Sequence, residues 1–165
     1  MKQEATVLIS LSVILLFGCP AGLKYSPGKP GTEKLDTRIL GKWVTSDEFS
    51  VFKKAEVTQV DEFTFRAKLE ETTDMYILGD ETELNGWTTV IDNQSFLYIF
   101  SKQQEEFYSY GFTFKDGGLV MYDAALLEGG QDAVVSTETF RSQLAASIKK
   151  EEWYSDPVIY KKVSQ

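Results

Sequence analysis

The side chains in this chain best able to do chemistry are carboxylates. Asp80, Glu81 and Glu83 form an acidic run before Asn85-Gly86, and Glu105 and Glu106 stand side by side further on. Two carboxylates facing each other across a cleft can share acid and base roles. Several oxygen ligands gathered in one turn can hold a hard cation such as calcium. The 80–83 run lacks the spacing of a calcium loop and reads as a solvated turn. Glu105-Glu106 reads as a hairpin tip, and nothing singles out a catalytic pair. The chain has no histidine, which removes imidazole nucleophile activation, imidazole acid–base work and the usual imidazole metal sites. The residues imply no catalytic group, no metal and no cofactor, and the chain reads as not an enzyme.

The single cysteine, Cys19, ends an apolar run, Val7 to Phe17, and is followed by Pro20, Gly22, Pro27, Gly28, Pro30 and Gly31. A charged start, a short apolar core, a small residue and then a break is the layout of a secretory signal peptide. The run from Ala5 to Phe17 is shorter than the about 20 residues that a membrane-spanning helix needs. Leu16-Phe17-Gly18-Cys19 resembles a bacterial lipobox. That resemblance implies cleavage before Cys19, acyl chains such as palmitate on its thiol and new amino group, and a place in the cell envelope. Pro20 stands at the position where an aspartate would resemble an inner-membrane retention signal, so the outer membrane is the expected destination. Acylation would also end thiolate chemistry at Cys19.

The expected organisation is a signal peptide over 1–18, a lipidated cysteine and flexible tether over 19–36, and one compact domain over 37–165. Residues 20–36 show no apolar periodicity and are rich in proline and glycine, so they read as a tether. The domain is long enough for its own core and carries no cysteine. The net charge of −8 disfavours nucleic acid as a partner. The charges are scattered rather than blocked, so membrane contact is expected through the lipid, not through a basic face.

Alternation with period two dominates residues 39–123. Phe63, Phe65, Ala67 and Leu69 share one face, and Tyr108, Tyr110, Phe112 and Phe114 repeat the pattern, as in half-buried antiparallel strands. Asp116-Gly117-Gly118 reads as a tight hairpin. Further strands are expected over 39–46, 49–56, 75–78, 87–91, 95–101 and 119–122. Phe96 to Phe100 is apolar without alternation and needs cover on both faces. Ser136 or Thr137 can cap a helix over about 137–150 whose stripe Phe140, Leu144, Ala145 and Ile148 could supply that cover. Asp156-Pro157 then breaks the chain before a last strand through Val158-Ile159-Tyr160. The pattern predicts a mainly β fold, an up-and-down antiparallel β-barrel or strongly curled sheet of about eight or nine strands, with one late α-helix.

Leu40-Gly41-Lys42-Trp43, with meandering strands, a late helix and a closing strand, resembles the lipocalins and the wider calycin group. The resemblance implies a lipocalin-like barrel over 37–165, with the helix packed outside, Trp43 plugging the closed end, and room inside for small apolar molecules. Lipocalins add an arginine from a late strand that packs on this tryptophan. Here Arg141 lies in the helix, and the last strand offers Lys161 and Lys162. The candidate ligand-binding residues are Trp43, Phe63, Phe65, Tyr98, Tyr110 and Phe112, and the lipidation site is Cys19. The interior of an eight-stranded barrel can be hollow or filled by side chains. Two functions follow. One is an envelope lipoprotein binding a small apolar or amphipathic ligand. The other is a filled barrel that docks to an envelope protein partner through aromatics such as Tyr108, Trp153 and Tyr154.

Overall fold

The computed structural model describes residues 22–47, 50, 52–71, 81–123, 129–150 and 154–163. Eight antiparallel strands close into a barrel in chain order. They are β1 (Gly41–Val44), β2 (Phe52–Gln59), β3 (Phe65–Glu71), β4 (Glu83–Ile91), β5 (Gln94–Ser101), β6 (Glu106–Lys115), β7 (Gly118–Asp123) and β8 (Ser155–Lys162). One α-helix, α1 (Thr137–Ser147), lies in the β7–β8 connection. The mainly β, up-and-down barrel with a late helix read from the sequence is therefore the architecture of the chain.

The expected strand Trp87–Ile91 is the second half of β4, which starts at Glu83, and Asn85-Gly86 lies inside it. Gly86 is there for packing: a Cβ on it would sit 2.2 Å from Cζ of Phe65, so the Phe65 ring occupies the space a side chain would need. Phe65 is the registered partner of Gly86 on the neighbouring strand β3, a close approach that glycine permits inside a strand. The expected strand over 75–78 lies outside the described residues. The true two-residue turns are Asp92-Asn93, with φ of 47° and 64°, and Asp116-Gly117, with φ of 51° and 76°. Both have the positive φ that tight hairpins require.

The barrel seam is between β8 and β1, which pair only through Trp43↔Lys162 and Val44↔Lys161. Pro157 lies outside the two β8–β1 pairs and beside the shift of the β7–β8 register between Met121 and Asp123, an edge-like and irregular place of the kind that tolerates proline.

The outer face carries a second core. Ser136 caps α1 in a capping box: its hydroxyl accepts from the Thr139 N–H at 3.1 Å, and Thr139 Oγ1 accepts from the Ser136 N–H at 2.9 Å. Phe140 and Leu144 then pack with Ile91, Phe96 and Tyr122. The helix thus covers the Phe96 end of the apolar strand. The Tyr98 and Phe100 end has another cover, made by Trp87, Phe107 and the amino-terminal segment. Tyr98 stacks on Trp87 at 5.8 Å, and Phe100 meets Phe107 at 4.8 Å.

That amino-terminal segment corrects the expectation of a free tether up to residue 36. From Gly22 onward the chain lies on the barrel as a strap. Leu23 and Phe107 exchange backbone hydrogen bonds of 3.0 and 2.7 Å. Pro27 is fully buried, Leu35 is 7% exposed, and the Leu35 N–H donates to the Glu62 carbonyl at 3.0 Å. Composition misleads here because the strap needs no periodicity of its own. A few apolar residues fill crevices on an apolar sheet, and the sheet satisfies its backbone groups.

Candidate functional site in the barrel interior

Connections leave the barrel at two ends. One end carries the β2–β3, β4–β5 and β6–β7 turns, and the strap crosses it just before β1. A short 3₁₀ turn over Thr37–Ile39 blocks this end. Asp36 caps the turn. Its carboxylate accepts from the Arg38 N–H at 3.1 Å and from the Arg38 guanidinium at 2.7–3.2 Å. The Arg38 side-chain hydrogen bond is the chief reason that the Asp36 carboxyl titrates below its ordinary range. The Asp36 N–H is taken by Thr88 Oγ1 at 3.0 Å.

Beneath this plug lies Trp43, 3% exposed, with its indole N–H donating to the Ile39 carbonyl at 2.7 Å. Phe114 leans on one side of it at 6.4 Å, and the Arg38 guanidinium sits 4.7 Å above the Phe114 ring. The Lys162 ammonium lies 5.3 Å from the Trp43 ring centre. The last strand thus places a cation beside this tryptophan.

Above Trp43 the interior holds a void of about 50 Å³. Its wall is apolar and includes Trp43, Phe65, Leu97, Leu119, Tyr110 and Met121. At the plugged end Ile39 and Phe65 are each 1% exposed, and Phe52 and Ile99 are buried towards the other end. Ala55, Val57, Leu69, Tyr110 and Met121 in the same wall are partly exposed. A buried polar knot lies in the wall: the hydroxyls of Ser50 and Tyr160 and the carbonyl oxygen of Phe52 are 2.9–3.0 Å apart. Burial pushes the Tyr160 phenol above its ordinary pKa, so it remains a neutral donor.

Of the residues singled out from the sequence, Trp43, Phe65 and Tyr110 line the void. Phe112 is 1% exposed in the same core but does not reach the void wall. Tyr98 is misplaced by the sequence reading. It is buried at 1% but points outward, under the strap. A strand apolar on both faces gives no signal of which parity is inside, and Leu97 and Ile99 take the interior. Burial is the main reason that the Tyr98 phenol is raised. Phe63 is also corrected. The Asp61 carboxylate accepts the N–H groups of Phe63 and Thr64 at 2.8 and 2.7 Å. That turn postpones the strand to Phe65 and leaves Phe63 outside the barrel. Tyr108, expected on an exposed patch, is 4% exposed and faces inward. Cys19 and Trp153 lie outside the described residues. Phe52, Leu97, Leu119, Met121 and Tyr160 line the void unannounced. Counting alternate residues from Trp43 through the strand pairings finds them, but the pairings themselves are tertiary information.

Of the acidic residues singled out from the sequence, Glu81 is engaged structurally, and Asp80 lies outside the described residues. Glu81 accepts from the Ser101 hydroxyl at 2.5 Å and from the Lys102 N–H at 3.0 Å, which ties the β3–β4 connection to the β5–β6 turn. Burial opposes ionisation of Glu81, and these hydrogen bonds outweigh it, so its carboxyl is held low. Among the described residues no group of three acidic, cysteine or histidine side chains could hold a metal ion. Among them, too, no helix is long and apolar enough to cross a membrane.

The fold and its interior define a small closed up-and-down β-barrel, compatible with a lipocalin-like fold. Comparison with models of known protein families, with curated proteins and with solved structures finds no match in any of the three.

Proposed function

We propose that this chain is a lipid-anchored protein of the bacterial cell envelope, at the outer membrane, whose lipocalin-like barrel binds a slender apolar or amphipathic ligand. The observation that carries the binding reading is the void itself. It is apolar and is sealed at one end by Trp43 and the 3₁₀ plug. Its size sets the class of ligand. Drug-sized molecules occupy about 300–1,000 Å³, and a cavity of about 150 Å³ takes benzene. A void of about 50 Å³ accepts the end of an alkyl chain, and anything wider would have to displace side chains such as Met121. The anchor reading rests on Leu16-Phe17-Gly18-Cys19 and the apolar run before it.

Two measurements test the two halves. Mass spectrometry of the protein from the membrane fraction should find residues 1–18 removed and acyl chains on Cys19; an intact amino terminus ends the anchor reading. Titration with straight-chain fatty acids of graded length should quench or shift Trp43 fluorescence, and Ala55→Leu, which fills the void from its wall, should abolish that response while the fold is retained. A response indifferent to Ala55→Leu would place binding elsewhere.

The small volume also favours a second reading, a filled barrel that docks to a protein partner. Pro157 and Ile159 share the outward face of β8 and are exposed, Ile159 by 55%, and Val163, exposed by 43%, follows past the strand end with Lys161 between. Exposed apolar residues of this kind suit a contact patch. If no fatty acid binds, this is the reading that remains.

A further inference from the structure

We infer that in the anchored protein the end of the barrel that carries the β5–β6 turn faces the lipid surface, and the plugged end faces away from it. The inference rests on the lipid-anchor reading above and adds an orientation to it.

The argument comes from where the strap begins. Leu23 pairs with Phe107 in both directions, at the start of β6 and beside the β5–β6 turn. That turn belongs to the end opposite the plug. From there the strap runs along the outer face. Gly28 lies against Thr89 and Tyr98, and Arg141 holds the strap's Pro27 carbonyl at 2.9 Å and Glu33 at 3.3 Å. The strap reaches the plugged end at Leu35. The chain is therefore tied down along its length, and the anchor residue lies beyond the end tied at Leu23.

Reach decides the orientation. Cys19 is separated from Leu23 by a few peptide units, which span at most about 14 Å when fully extended. The two ends of the barrel are separated by the length of β6, roughly 30 Å at the rise of a β-strand. An anchor at Cys19 can hold the end with the β5–β6 turn at the membrane, but it is too short to bring the plugged end there. Charge does not compete with this arrangement, because the acidic chain has no pull towards an anionic surface.

The test uses the mature protein purified from membranes and reconstituted into phosphatidylethanolamine–phosphatidylglycerol vesicles that carry a headgroup-bound quencher. Cys19 is the only native cysteine and its thiol is consumed by the lipid, so an engineered cysteine can be labelled alone. Lys102→Cys reports on the turn before β6 and Lys115→Cys on the end of β6; both positions are exposed. Fluorescence at Lys102→Cys should be quenched several-fold more than at Lys115→Cys. Equal quenching, or the reverse order, overturns the orientation and leaves the anchor standing, provided mass spectrometry of the same sample shows acylated Cys19. An unacylated Cys19 overturns the anchor reading and the orientation with it.

Discussion

The Lys162 ammonium nitrogen lies 5.3 Å from the centre of the Trp43 ring, which is otherwise enclosed by Phe114 and the plug at Ile39. The contact joins the last strand to the first across the seam where β8 and β1 share only two residue pairs. Trp43→Ala should cost about 3–5 kcal/mol, the usual range for deleting a large buried aromatic. Lys162→Met keeps the stem and loses the charge; an exposed cation–π contact is worth about 0.5–1 kcal/mol. A double-mutant cycle in urea should show coupling between the two. If the midpoint is unchanged by Trp43→Ala, this tryptophan does not hold the closed end together.

Leu144 is completely buried between α1 and the outer sheet face. Leu144→Ala should cost about 2–5 kcal/mol. Leu144→Asp should be worse, because it buries a charge with no partner in an apolar contact. Thermal melts and solubility of the two variants check this. A normal melting temperature for Leu144→Asp would mean that the helix is free of the sheet in solution.

Arg141 joins three elements that are far apart in sequence. Its guanidinium donates to the Pro27 carbonyl at 2.9 Å, to Thr89 Oγ1 at 2.8 Å and to the Val90 carbonyl at 3.1 Å, and it faces Glu33 at 3.3 Å. Both charged side chains are more than a third exposed, so solvent screens the ion pair and most of the value lies in the hydrogen bonds. Arg141→Ala should cost about 1–2 kcal/mol and loosen the strap before the barrel. Limited proteolysis should then cut within residues 22–36 much faster than in the parent. Arg141→Lys cannot reproduce the fork and should recover little of the loss.

Asp36 ties stability to pH. Its folded pKa lies below the ordinary value of 3.8, so the unfolded chain takes up the proton first as pH falls. The stabilisation is complete at neutral pH and is lost as pH drops from the ordinary value through the folded one. Asp36→Asn keeps an N-cap side chain but loses the charge facing the exposed Arg38, so it should be less stable than the parent at pH 7 by about 0.2–1 kcal/mol. The two should converge as the pH falls below the folded value. Denaturant melts at neutral pH and through the acid range measure this, and a difference that persists unchanged in acid would assign the effect to shape and not to charge.

The sequence by itself determined whatever depends on neighbours along the chain. Alternation at Phe65–Leu69 and Tyr108–Phe114 marked strands, Asp116-Gly117 marked a hairpin, and Ser136 with the Phe140–Leu144 spacing marked a capped helix. These signals are local because strand parity, turn φ values and caps are set within a few residues. Only the tertiary structure decided that Tyr98 faces out, that Asn85-Gly86 runs straight through a strand under the Phe65 ring, and that a proline-rich segment is a strap and not a tether. Each depends on an atom brought from far along the chain: Leu97 and Ile99 competing for the interior, Phe65 filling the space over Gly86, Phe107 and Arg141 holding residues 23–33. The size of the void was hidden for the same reason. It is the small remainder after side chains from all around the barrel have packed, and local patterning says nothing about a remainder.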